Sequence, residues 1–176
     1  MAVVSLEEAK AYLKVDTTDD DMLIASLISV AEATIEKFTG RKLLTSEFAY
    51  MLDMAGDIIL IPYSPLQEIT KIETVASSGA VTDVSSEIYE VDISRDQVGR
   101  IRLKPGNSWP DHRCFASFII RGRAGYGDTP DKVPSPLKVA ILVALAILYE
   151  NRGAVESQKL QDAISALCWP YRVLRI

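Results

Sequence analysis

The sequence contains few of the residues on which enzyme and metal sites most often depend. Its 176 residues include one histidine, His112, and two cysteines, Cys114 and Cys168. Two cysteines far apart provide neither a disulfide framework nor the paired spacing of a zinc site. We therefore expect no catalytic residues, no cofactor and no metal ion.

The sequence also lacks an excess of basic charge and a long apolar run. Its net charge is −5, and gripping a phosphate backbone requires clustered Lys and Arg. The longest apolar run, 139–149, falls short of the ~20 residues that cross a bilayer. No basic segment precedes an apolar run at the N-terminus, so we expect no signal peptide. These features predict a protein made in the cytoplasm, without a membrane partner.

Helical periodicity is present at both ends of the chain. Ser5 and Glu8 form a capping-box pattern that predicts a helix over 5–14. Apolar residues at helical spacing predict a second helix over 18–39, ended by Gly40. The pair Ser135 and Pro136 predicts the start of a third helix over 137–150, with Ser135 as its cap. A fourth is expected over 156–167. The third is apolar on nearly every face, so we expect Leu142, Leu145 and Ile147 in or beside a core.

Between the helices the pattern changes to short extended runs bounded by Gly, Pro, Ser and Asp. Strands are predicted over 47–52, 57–61, 69–75, 89–93, 100–103 and 115–121. The expected fold is α+β, mainly α: a helical bundle of an N-terminal and a C-terminal helix pair, with an antiparallel β-rich insertion. The expected division is a helical core over 1–44 and 130–176 and an insertion over 45–129, in one folding unit.

Three patterns could indicate chemistry, and each has a simpler interpretation. Asp19, Asp20 and Asp21 point in different directions on a helix, which favours helix-start electrostatics over a metal site. His112 and Cys114 could share a strand face as base and nucleophile, but no orienting acid is evident; the simpler interpretation is a polar loop residue beside a small buried thiol. The glycine-rich stretch 122–128 does not open directly into a helix, which favours a turn over a phosphate loop.

Aromatic residues near turns are candidates for an interface. Trp109 lies between turn residues and could anchor a partner or tuck under its own loop. The same alternatives apply to the C-terminal end of the chain, where an interface or a cap on the protein's own core are both open. The candidate interface residues are Trp109, Trp169, Tyr171, Arg172, Val173, Leu174 and Arg175.

The order of several short motifs resembles the head–tail connector proteins of tailed bacteriophages, also called adaptor, DNA-packaging or head-completion proteins. No one motif is specific, but the series spans nearly the whole chain. The motifs are Val4-Ser5-Leu6-Glu7-Glu8-Ala9-Lys10, Asp19-Asp20-Asp21, Phe38-Thr39-Gly40-Arg41, Pro65-Leu66-Gln67-Glu68-Ile69, Tyr89-Glu90-Val91-Asp92, Ser108-Trp109-Pro110, Ala124-Gly125-Tyr126-Gly127-Asp128, Val133-Pro134-Ser135-Pro136-Leu137-Lys138, Tyr149-Glu150-Asn151-Arg152-Gly153 and Pro170-Tyr171-Arg172.

This resemblance implies a virion protein of the head–tail junction that carries no catalytic residues. It implies a ring, expected as a dodecamer in the virion, that lies beneath the portal protein and extends the DNA channel. The ring would offer a platform for a stopper or tail-completion protein, and an isolated subunit could be monomeric. Packaged double-stranded DNA would pass an acidic wall without sequence-specific binding. The alternatives are another neck or tail-completion protein, or a small enzyme with a site near His112 and Cys114.

Charge is unevenly distributed along the chain. Residues 1–40 carry eight acidic and three basic side chains, whereas 134–176 carry three acidic and five basic ones. A ring requires that one surface of a subunit meet a different surface of its neighbour. We therefore expect the acidic N-terminal helices to lie near the C-terminal surface of the next subunit, or the C-terminal segment to dock on the portal.

Overall fold

The computed structural model describes residues 2–93, 98–151 and 157–173. It is an α+β fold that divides into two compact units. The helical unit comprises Met1–Leu44 and Tyr126–Ile176, and the β unit comprises Thr45–Gly125. The further expectations, that helices predominate, that the helical unit is a bundle and that both units fold as one, stay predictions.

The helical unit contains α1 (Leu6–Leu13), α2 (Asp21–Thr39), α3 (Ser135–Glu150) and α4 (Ser157–Cys168). Short 3-10 turns lie at Pro130–Lys132 and Trp169–Tyr171. The capping box of α1 is confirmed, because the Glu8 amide donates to Ser5 Oγ and the Ser5 amide donates to Glu8 Oε2. Gly40 ends α2 in the left-handed conformation, with φ of 71°, which a residue without Cβ adopts at no steric cost.

Two expected helix starts are wrong in detail. The second helix begins at Asp21 rather than Thr18, because the amide of Asp21 donates to the Thr18 carbonyl in a separate turn. Only Asp21 of the three aspartates therefore lies in the first helical turn. Ser135 is already inside α3, and no side chain caps that helix.

One face of α3 forms the centre of the helical core. Leu137, Ala140, Ile141, Ala144 and Leu145 are buried there, packed with residues of α2 and α4. The expectation for Leu142, Leu145 and Ile147 is confirmed: Leu145 is in the core and the other two are half-buried against it. None of the helices in the described part of the chain combines the length and the apolar character needed to span a membrane.

The β unit consists of two antiparallel sheets. One has the strand order β1 (Ser46–Leu52), β7 (Phe118–Ala124), β3 (Leu66–Val75) and β4 (Val81–Asp83). The other has the order β2 (Ile58–Ile61), β6 (Gly99–Leu103) and β5 (Tyr89–Asp92). Alternate residues of both sheets meet in one core that includes Phe118, Ile120, Leu66, Ile72, Ile59, Ile61 and Ile101, as expected for sheets with one buried face each.

The last predicted strand starts later than expected. Residues 115–117 are irregular and β7 begins at Phe118. The side chain of Asp53 explains this, since it accepts a hydrogen bond from the Ala116 amide at 2.8 Å and so removes that amide from strand pairing. The glycine-rich stretch 122–128 is strand up to Ala124 and irregular after it.

Candidate assembly surfaces

The described part of the C-terminal segment lies along the end of α2. Arg41 Nε donates to the Tyr171 carbonyl at 2.6 Å, and the Val173 amide donates to the Thr39 carbonyl at 2.8 Å. Thr39 and Arg41 are both buried. Both contacts use main-chain groups of Tyr171 and Val173, so they do not depend on the side chains of this segment.

Tyr171 and Trp169 have different environments. Tyr171 is half-buried against the helical core, whereas Trp169 is 61% exposed. Tyr171 therefore packs on the core of its own unit, and most of Trp169 faces solvent. Leu174 and Arg175 lie outside the described residues.

An exposed arginine joins this aromatic surface. The guanidinium carbon of Arg172 lies 5.3 Å from the centroid of the Trp169 ring and 5.6 Å from that of Phe38. These distances allow cation–π attraction to both rings. Trp169, Arg172 and Phe38 form what we call the C-terminal platform. Sequence reasoning did not include Phe38, because a phenylalanine near the end of an amphipathic helix looks like an ordinary core residue.

Trp109 is held by its own unit. Its indole Nε1 donates to the Gly56 carbonyl at 3.1 Å, and its ring meets Phe118 edge to face at 5.4 Å. Trp109 is half-buried against the β core. These contacts favour the alternative in which it tucks under its loop.

His112 and Cys114 do not form a nucleophile–base pair on a strand, because both lie in the irregular segment before β7. The ring of His112 packs against Phe118 at 4.8 Å, and its Nδ1 lies 2.8 Å from the Pro110 carbonyl oxygen. Cys114 is exposed, so the expectation that it is a small buried thiol is wrong. The main chain bends at Ala116, which has φ of 46°, two residues after the exposed Cys114.

Most acidic residues of the N-terminal region serve the fold of the helical unit. Asp21 pairs with Lys10 at 2.6 Å, and Asp20 accepts a hydrogen bond from the Tyr149 hydroxyl. Glu36 pairs with Lys42 at 2.7 Å. Glu32 accepts the Val3 amide at 2.6 Å; burial raises the pKa of its carboxyl, although the amides of Val3 and Val4 act in the opposite direction. Within 2–93, 98–151 and 157–173, no three His, Cys, Asp or Glu side chains are grouped as metal ligands.

Several large apolar side chains are exposed in both units. In the β unit, Phe115 is 73% exposed, and Ile58 and Leu60 alternate with the buried Ile59 and Ile61. The run 58–61 is apolar throughout, so the two-residue period of a strand had to place two of its members outside. This signal was present in the sequence, but the interface candidates were Trp109 and residues of the C-terminal segment and included none of the strand 58–61.

In the helical unit, α2 carries no charged residue from Met22 to Ala31, and Met22 and Val30 are exposed on it. On α3, Val139 is exposed, and Leu142 and Val143 are half-buried. Both helices thus carry apolar side chains outside the core, and such surfaces often mark contacts with another protein.

Comparison with known proteins shows a related family. The model of the family described as "Phage gp6-like head-tail connector protein" matches residues 3–94. No curated protein sequence matches the chain.

Solved structures with a similar fold come from gene transfer agent (GTA) particles. A chain of the structure described as "Neck of empty GTA particle computed with C6 symmetry" superposes with a TM-score of 0.83 at 23% identity. A chain of the "Neck of native GTA particle computed with C12 symmetry" gives 0.80 at 24% identity. Each match covers 99% of this chain and 91% of the other.

Proposed function

This chain belongs to the phage gp6-like head-tail connector family, and from that premise we propose that it is a non-enzymatic ring subunit of the neck of a phage-like particle. The ring would contain twelve copies, lie beneath the portal and continue its channel. It would offer the opposite side to a stopper or tail-completion protein. The observation that carries this proposal is the family match over more than half of the chain.

The exposed apolar residues support self-assembly. A ring buries part of every subunit against two neighbours through two different surfaces. Helices α2 and α3 carry uncharged apolar positions outside the core of the helical unit, including Met22, Val30 and Val139. Burying such side chains between subunits is favourable by about 25 cal/mol for each Å² of apolar surface.

Charge supports passage of DNA rather than capture. The net charge of −5 disfavours persistent contact with a phosphate backbone, because such binding releases counterions only where Lys and Arg cluster. DNA would therefore slide through the ring without sequence-specific contacts.

The C-terminal platform is our candidate for docking on the portal or on the next subunit. Trp169 and Arg172 are the residue types that commonly dominate interface energies. The acidic N-terminal region contributes less exposed charge to such a contact than its sequence suggests. Glu7, Asp16 and Asp19 are exposed, whereas Asp20, Asp21, Glu32 and Glu36 hold the fold of the helical unit. Charge contacts at this rim would affect association rate and salt dependence more than affinity.

The test is co-expression with the portal protein of the same particle, followed by native mass spectrometry and electron microscopy. We expect a ring of this chain on the portal, and particles lacking the chain should fail to attach tails. A chain that never joins the portal and is dispensable for tail attachment would overturn the proposal.

The role of the platform is tested in the same assay with Trp169→Ala and Arg172→Ala. Deleting residues 171–176 would be a poorer test, because it removes the backbone bonds to Arg41 and Thr39. Each point variant should fold normally and bind the portal at least about tenfold more weakly. Unchanged affinity for the portal and unchanged ring formation would exclude the platform as a docking element.

A further inference from the structure

Phe115 is presented to solvent by a rigid loop. The Ala116 amide donates to Asp53 Oδ1 at 2.8 Å, and the Ser117 amide donates to the Leu52 carbonyl at 3.0 Å. Ser117 Oγ also donates to the Asp53 carbonyl. A side chain that is 73% exposed is thus carried by main chain with little freedom, which lowers the entropy lost on binding.

The backbone next to Phe115 is in a costly conformation. Ala116 has φ of 46°, a region that residues with a β-carbon seldom occupy. Arg113 holds it there, donating to the Ala116 carbonyl from Nε at 3.3 Å and from Nη2 at 3.1 Å. Phe115 is not among the described side chains that pack in the β core, and such strained positions are frequent at functional surfaces.

Phe115 does not stand alone. Met54 follows Asp53, whose carboxylate accepts the Ala116 amide, and it is largely exposed. Together Phe115 and Met54 form what we call the knob. Two exposed carboxylates, those of Asp53 and Asp111, belong to the same loops.

The outer face of the other sheet carries a groove of about 350 Å³. It is lined by Ile58, Glu90, Val91, Asp92, Arg100 and Arg102, and we call it the arginine groove. Leu60 pairs with Arg100 in register, as Ile58 does with Arg102. Ile58 and Leu60 are each just over half exposed. An aliphatic row therefore lies beside a row of guanidinium groups.

The arginines are oriented by carboxylates. Arg102 Nη2 lies 2.8 Å from Glu90 Oε2, and Arg100 binds Asp92 Oδ2 through both Nε and Nη2. The N–H groups of a guanidinium point outward in its plane, and the side chains of Arg100 and Arg102 remain 49% and 61% exposed. A guanidinium face beside aliphatic side chains is a suitable surface for an aromatic ring.

We propose that Phe115 of one copy inserts into the arginine groove of the next copy, as one of the contacts that close the ring. This inference rests on the proposed function. A ring needs two different surfaces on each subunit, and the knob and the groove belong to different parts of the β unit. Their chemistry is complementary, since an aromatic ring meets aliphatic side chains and two guanidinium groups, whose paired carboxylates, Glu90 and Asp92, leave the groove without net charge.

The first test places a photo-crosslinking residue in the knob, as Phe115→p-benzoylphenylalanine in the full chain. Copies labelled with ¹⁴N and ¹⁵N are mixed, rings are identified by native mass spectrometry alone or with the portal, and cross-linked peptides are mapped. We expect residue 115 of one isotope to be joined to residues 58–60 or 100–102 of the other. The matched control places the same residue at Val81, which is 55% exposed on β4, and should give no cross-link to the groove.

The second test needs no cross-linker. Phe115→Ala should raise the concentration needed for ring formation at least about tenfold, whereas Val81→Ala should leave it unchanged at equal stability to urea. Rings that form equally well with Phe115→Ala, or cross-links that fall on another protein or elsewhere on the neighbouring copy, would overturn the inference while leaving the proposed function intact. Failure of the unmodified chain to form a ring in any sample would overturn both.

Discussion

The aromatic ring of Phe48 on β1 lies against Gly122, its register partner on β7. A β-carbon at Gly122 would approach the Phe48 ring to 2.8 Å and the Glu68 carbonyl oxygen even more closely. Glycine in a strand interior often marks such a close approach. The ring of Phe48 also stacks on Tyr63 at 4.4 Å, so it has little freedom to withdraw.

Gly122→Ala should therefore destabilise the protein by about 1–3 kcal/mol, because either the Phe48 ring or the β3 backbone must shift. Gly56→Ala is the matched control, since a β-carbon there meets nothing within 4 Å, and it should change stability by less than about 0.5 kcal/mol. Urea unfolding measures both. Equal effects of the two substitutions would contradict the packing argument.

Leu145 and Leu142 of α3 should differ in how much each stabilises the protein. Leu145 is fully buried, so Leu145→Ala should cost about 2–5 kcal/mol. Leu142 is half-buried and leaves a smaller cavity, so Leu142→Ala should cost less than about 2 kcal/mol. Thermal and urea unfolding of the isolated subunit test this order. A larger loss at Leu142 would show that its outward side is covered in the isolated protein.

Replacing Tyr171 by alanine should destabilise the subunit more than replacing the larger Trp169. Tyr171→Ala removes a ring from the helical core and should destabilise the subunit by about 1–3 kcal/mol. Trp169→Ala should cost less than about 1 kcal/mol, because the indole is mostly in water and its contact with Arg172 is at the surface. The measurement is again equilibrium unfolding. A greater loss at Trp169 would exclude its role as a free surface residue.

The sequence indicated the helices well because their signals are local. The capping box of Ser5 and Glu8, the end at Gly40 and the apolar spacing of α2 lie within a few residues of one another. The three-residue strand β4, in contrast, was missed because all of its side chains are exposed and it has no apolar alternation. It exists through pairing with Glu73, Thr74 and Val75 of β3.

The candidate surfaces were harder to predict because distant residues build them. The C-terminal platform combines Phe38 with Arg172, and the course of the Phe115 loop depends on Asp53. Neither relationship has a local signature. The aromatic candidates Trp109, Trp169 and Tyr171 looked alike in sequence, yet Trp109 and Tyr171 are half-buried against the cores of their units whereas Trp169 is exposed.

Glu32 should make stability depend on pH. Burial raises the pKa of its carboxyl above the ordinary value of 4.5, so the folded state holds this proton more tightly than the unfolded chain. The resulting stabilisation is complete below pH 4.5 and is lost as the pH rises through the folded pKa. Relative to Glu32→Gln, the unmodified chain should therefore become less stable between pH 4 and 7. Urea titrations of both proteins across this range should show that trend, and parallel pH profiles would contradict it.

The two thiols should react at very different rates. Cys114 is exposed, whereas burial raises the pKa of the Cys168 thiol to about 11. Since the thiolate is the reactive form, iodoacetamide at pH 8 should modify Cys114 and leave Cys168 intact until the helical unit unfolds. Peptide mass spectrometry distinguishes the two sites. Rapid modification of Cys168 in the native protein would show that α4 opens readily.

The placement of the two tryptophans supplies an optical reporter for each unit. Trp109 packs beside Phe118 in the β unit, and Trp169 is exposed at the end of α4 in the helical unit. With Trp169→Phe, indole fluorescence follows the β unit alone, and with Trp109→Phe it follows the helical unit alone. Coincident denaturation curves from the two single-tryptophan proteins would mean that the units unfold cooperatively. Separated curves would identify the unit that opens first.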